Sequence, residues 1–141
     1  MSQLDLLLAG ELTPGVYRWP AAPPTVKAKA VVDQEGWHFV DLDTTTVVDK
    51  AGLLDAVAKN LGFPAYLGRS FDAFADLLAE VRDEHGVVLW WQGWAGLAEL
   101  NPQATELALA EFATRAADRE QGVLAVVVAG PGPVLDVPTW E

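Results

Sequence analysis

The clearest rhythm in the chain lies at residues 49–62, "DKAGLLDAVAKNLG", where Leu53, Leu54, Val57 and Leu61 recur three and four apart. That spacing puts them on one face of a helix. Asp49 can accept from the first-turn amides, and Gly62 stands where a C′ glycine belongs. The loop "FPAYLG" (63–68) follows, and Ser70 can cap a second helix running to about residue 82. "VVLWW" (87–91) is a continuous apolar run of strand length bounded by Gly86 and Gly93. A short helix is predicted over Trp94–Leu100. Asn101-Pro102 then opens a longer one, 103 to about 119, with Ala104, Ala108, Phe112 and Ala116 four apart. Gly122 ends it, and "VLAVVVA" (123–129) is a second fully apolar strand. Upstream, "WHFVDLD" (37–43) reads as a strand with polar breaks. Strands apolar on both faces and separated by helices indicate a small parallel sheet covered by helices. The fold class is α/β.

The ends follow no such rhythm. Residues 1–29 contain the breakers "TPG" and "PAAPP" around a short predicted strand at Val16–Trp19. They read as an N-terminal extension packed on a domain of residues 30–141. "VKAKAVV" (26–32) suits a strand or a short helix equally. The tail "GPGPVLDVPTWE" (130–141) is rich in proline and glycine and is expected to be irregular.

Composition narrows the function. A chain of 141 residues, 51% hydrophobic and 21% charged, has the material for one cored domain and too little charge for disorder. Nine basic against 20 acidic residues give a net charge of −11. Such a surface repels phosphate backbones and attracts cationic partners, although solubility alone also accounts for it. There is no cysteine, hence no disulfide, thiolate nucleophile or cysteine metal site. "MSQLDLLLAGEL" has no basic residue ahead of its apolar stretch and an aspartate inside it, a poor secretion signal. No window approaches the roughly 20 apolar residues of a membrane span, so a cytoplasmic protein is expected.

Placed on a helix, residues 71–82 separate into two faces. Phe71, Phe74, Leu77, Leu78 and Val81 fall within about 120° of one another. Asp72, Asp76 and Glu80 fall within about 80° on the other side, edged by Ala73 and Ala79. Asp72 lies in the first turn, where the helix dipole favours a carboxylate. Asp76 lies beyond that benefit, with like charges at i−4 and i+4 that cost roughly 0.2–0.5 kcal/mol each. An ordinary solvated face and a binding surface both fit this stripe.

The same stretch carries a family resemblance. "FPAYLGRSFDAFADLL" resembles the central signature of the barstar family, small intracellular inhibitors of guanyl-specific ribonucleases, through Pro64, Tyr66, Gly68, Asp72, Ala73 and Asp76, with Ser70 at the position of the family's asparagine. The likeness extends over about 37–129 in the order of elements. It implies three parallel strands packed with about four helices, plus the N-terminal extension. It implies a 1:1 complex with a basic ribonuclease, no cofactor or metal, no chemistry of its own, and a monomer when free. Asp76 would take the place of the substrate phosphate against the enzyme's arginines and catalytic histidine. Asp72 would make an adjoining contact, Tyr66 would pack on an enzyme side chain, and Gly68 would let the backbone approach. Ser70, Ala73 and Glu80 complete the expected ribonuclease-binding set. A carboxylate bound by an arginine fork imitates a phosphodiester.

Three positions depart from the family pattern: Ser70 for asparagine, Leu67 for a frequent second aromatic, and Ala75 for a frequent tryptophan. An acidic residue from the last helix is also implied, and Asp118 and Glu120 are both candidates. These departures leave open a second reading, a barstar-fold binding or immunity module for a different cationic protein or toxin.

Enzyme constellations are weak by comparison. His38 and His85 have no companion at ligand spacing, and no phosphate-binding or nucleophile-elbow motif occurs. Asp72 and Asp76 as paired acid and base would lack the contrasting environments such chemistry needs. Of the six tryptophans most are expected in the core, with Trp94 a candidate for the rim of a partner surface and Trp19 and Trp140 pinning the ends.

Overall fold

The computed structural model of the chain describes residues 2–62, 71–81 and 83–141. The elements run α1 (Gln3–Leu8), β1 (Val16–Trp19), α2 (Thr25–Gln34), β2 (His38–Asp43), α3 (Lys50–Asn60), α4 (Phe71–Glu80), β3 (Val87–Gln92), α5 (Ala95–Leu100), α6 (Pro102–Ala117) and β4 (Leu124–Ala129). A short 3-10 turn at Arg119–Gln121 joins α6 to β4. The sheet is wholly parallel, in the order β1-β4-β3-β2.

The local signals act where the sequence puts them. Asp49 accepts from the Gly52 amide at the head of α3 (2.8 Å), and Asn101 accepts from Ala104 at the head of α6 (3.1 Å). Gly62 follows α3 in the left-handed region, φ +82°.

The apolar strands alternate between two cores. Val87, Leu89 and Trp91 of β3 and Leu124, Val126 and Val128 of β4 face α3, α4, α5 and α6. Val88 and Trp90, with Ala125, Val127 and Ala129, face α1, α2 and the C-terminal tail. A strand buried on both faces has no polar phase, which is why these two read as continuous hydrophobic runs.

The sheet has four strands rather than the expected three, and six helices rather than about four are described. The added strand is β1: Val16–Trp19 pairs in parallel with Val126–Ala129. Without it one side of β4 would present unpaired main-chain groups deep in the protein, which is costly. The added helices, α1 and α2, cover the second face. For "VKAKAVV" the helix is found, because α2 buries only Ala28 and Val32, four apart on one face.

The tail is irregular but anchored. Arg18 N donates to Pro138 O (2.8 Å) and Trp140 N donates to Arg18 O (2.6 Å), so the tail runs along the outer edge of β1. Trp140 stacks on Tyr17 and meets Trp19 edge-on, and Trp19 meets Trp90 likewise. Trp94 is not at a rim: it is 1% exposed, and its Nε1 donates to Ala129 O (3.1 Å). Its ring lies so close over Gly132 that a Cβ there would stand 2.6 Å from it.

Trp19 joins the N-terminal segment to the second core. Trp19→Ala is expected to lower the unfolding free energy by about 3–5 kcal/mol, the range for emptying an aromatic core site. Chemical denaturation of both proteins measures this, and a loss below about 1 kcal/mol would mean that residues 1–29 merely lie on the domain.

Candidate functional site

Helix α4 owes its place to its inner face. Phe74, Leu78 and Val81 are buried, and the Phe74 ring meets Phe112 of α6 edge-on, centroids 5.4 Å apart. Phe112 in turn meets Trp91 of β3 at 5.6 Å, and Trp91 Nε1 donates to Thr44 Oγ1 at 2.8 Å. An unbroken line of aromatic contacts thus runs from the helix to the central strands. Burying one such side chain is worth about 1.5–3 kcal/mol, several times the like-charge repulsion on the outer face.

That outer face holds Asp76 and Glu80, both exposed, with Ala75 and Ala79 half-buried beside them. No lysine or arginine lies within α4. The backbones of Asp72 and Ala73 fall in its first turn, and their side chains lie outside the described residues. Tyr66, Leu67, Gly68 and Ser70 also lie outside them.

The second helix at this surface is α6. Ala75 and Leu78 face Glu111, Thr114, Arg115, Asp118 and Gln121 across a cleft of about 100 Å³. Asp118 is half-buried on this cleft and accepts from Gln121 Nε2 at 2.6 Å, whereas Glu120 is exposed and does not line it. The cleft brings Asp118 and Glu111 up against α4. Glu111 went unnoticed in the sequence because its neighbour Phe112 carries the periodic signal. Arg115 went unnoticed too, an ionic residue one position from the Ala104–Ala116 stripe, and it is buried beneath the cleft.

His38 and His85 are exposed, and among the described residues no group of three or more histidine, cysteine or acidic side chains could hold a metal ion. Asp43, at the end of β2, is held below the usual carboxylate range by the hydroxyl and then the amide of Thr45. Among the described residues no helix is long and apolar enough to cross a membrane.

No curated protein sequence matches the chain. The family model described as Barstar (barnase inhibitor) does match, over residues 37–129. That span runs from the residue before β2 to the last residue of β4, and it takes in α4, the cleft and three of the four parallel strands. On this match and this α/β architecture, the chain belongs to the barstar family of barnase inhibitors.

Proposed function

We propose that the protein inhibits a basic guanyl-specific ribonuclease by presenting α4 and the loop before it to the enzyme's active site. The observation that carries this is the pairing of faces on α4. Its inner face is locked into the core through Phe74 and Leu78, while Asp76 and Glu80 stand in solvent on a helix without a cation. A rigid anionic ridge of this kind suits an arginine-lined site that binds RNA phosphates. Asp76 is assigned the phosphate position and Asp72 the adjoining contact. Tyr66, Gly68, Ser70 and Ala73 form the approach, and Glu80 extends the ridge. Asp118, on the cleft beside Ala75, is the acidic group contributed from beyond α6. The complex is 1:1 and the inhibitor performs no chemistry.

One observation favours a second reading, a barstar-fold module for another cationic protein. Ala75 stands where the family often has tryptophan, and an open cleft lies there. Titration of barnase activity with the purified protein separates the two. Stoichiometric inhibition supports the first, and full activity at micromolar inhibitor supports the second.

The barnase–barstar pair is itself the standing example of charge-steered association and charged hot spots, so the expected sizes below come from that experience. With a net charge of −11, the association rate should fall at least about tenfold between roughly 0.01 M and 1 M salt. Stopped-flow rates that stay flat over that range would assign the acidity to solubility alone.

Asp76→Ala should leave the free protein as stable as the parent or up to about 1 kcal/mol more stable, because alanine is the better helix former and two like-charge contacts disappear. In the complex the same change would strand desolvated arginines and cost about 2–5 kcal/mol. Asp72→Ala should weaken binding less and gain less stability, since its place in the first turn rewards the charge. Denaturant melts and inhibition constants for both variants decide this. A destabilised Asp76→Ala protein that inhibits like the parent would return Asp76 to a structural role.

A further inference from the structure

Four main-chain carbonyls converge on one buried side chain. Arg115 is 4% exposed; its Nε donates to Leu78 O (2.9 Å), its Nη2 to Val81 O (2.9 Å) and Gln121 O (2.9 Å), and its Nη1 to Gly122 O (3.0 Å). Two of these carbonyls belong to the end of α4 and two to the turn beyond α6. Burying a guanidinium is costly unless its N–H groups are matched, and carbonyls at a helix C-terminus are themselves in want of donors.

The end of α4 has particular need of such a group. Its last turn contains no basic residue, and in the sequence around it Glu80, Asp83 and Glu84 outnumber the single Arg82 at the negative end of the helix dipole. Arg115 therefore does from α6 what a lysine or arginine in the last turn would do from within α4.

We propose that Arg115 is a positioning residue of the binding face, setting the rotation and axial position of α4 and hence where Asp76 and Glu80 stand. This rests on α4 being the face that meets the partner. The Phe74–Phe112 contact is one mount, and the Arg115 fork is a second, about a turn further along both helices. One attachment leaves a rod free to swing and roll, whereas two define its direction. A carboxylate on α4 stands about 5–6 Å from the helix axis, so a roll of about 15° moves it about 1.5 Å. Bidentate recognition of a carboxylate tolerates only about 0.5 Å.

The test uses the full chain with barnase as the probe, and the variants Arg115→Lys, Asp76→Ala and both together. Lysine keeps the charge but cannot fork to carbonyls on two segments. Arg115→Lys should weaken inhibition by about tenfold or more at temperatures where it remains folded, chiefly through faster dissociation. Asp76→Ala should then cost several-fold less in the lysine background than in the parent, because its carboxylate is already displaced. An equal cost in both backgrounds would show that Arg115 supports only the fold and would overturn the proposal.

Amide exchange on the free variants gives a second, partner-independent readout. The amides at the end of α4, Val81 among them, should exchange about tenfold faster in Arg115→Lys while those of β3 and β4 keep their protection. Unchanged exchange at α4, or loss spread evenly over the strands, would overturn the proposal. Should the parent fail to inhibit barnase, the proposed function falls, and the exchange pattern alone decides whether Arg115 sets α4.

Discussion

Six consecutive residues with no exposed side chain, Leu124–Ala129, impose most of this architecture. A strand apolar on both faces must be covered twice and paired on both sides, because neither its side chains nor its main-chain polar groups can be left facing water or void. β1 and β3 supply the pairing. Four helices cover one face; α1, α2 and Trp140 cover the other. The matched family span, residues 37–129, contains the helices of the first of these layers, whereas α1, α2 and Trp140 lie outside it.

The same constraint fits α4 to the role proposed for it. A helix that must seal a core is held by its apolar side, and its outer side becomes free to carry whatever charge recognition requires. The energies sit comfortably in that order, since burying Phe74 and Leu78 outweighs a few tenths of a kcal/mol lost to each like-charge neighbour. An acidic ridge can therefore be strongly negative without endangering the fold. The remaining weakness is the helix terminus, where charge and dipole oppose one another, and there Arg115 brings a buried cation to the carbonyls of Leu78 and Val81.

What could be read from the residues in order was local. Leu53, Leu54, Val57 and Leu61 mark α3, Asp49 caps it as expected, Asn101-Pro102 opens α6, and "VVLWW" and "VLAVVVA" announce buried strands. The two faces of α4 follow from a 3.6-residue period and nothing else, as buried Phe74 and Leu78 and exposed Asp76 and Glu80 bear out. The family signature at Pro64–Asp76 is likewise contiguous and legible.

Tertiary contact decided the rest. Val16–Trp19 became an edge strand only because β4, more than a hundred residues later, offered it an unpaired side, as the parallel pairing of Val16 with Val126 records. "VKAKAVV" had no preference of its own, and the second sheet face selected a helix by burying Ala28 and Val32. Trp94 went inside because Gly132 left room for its ring. Arg115 looked like any helix-surface cation until Leu78, 37 positions earlier, turned its carbonyl toward it. Caps and periodicity act within four or five residues and are written along the chain. The pairing of a strand edge or a buried charge depends on groups that meet only once the chain has folded.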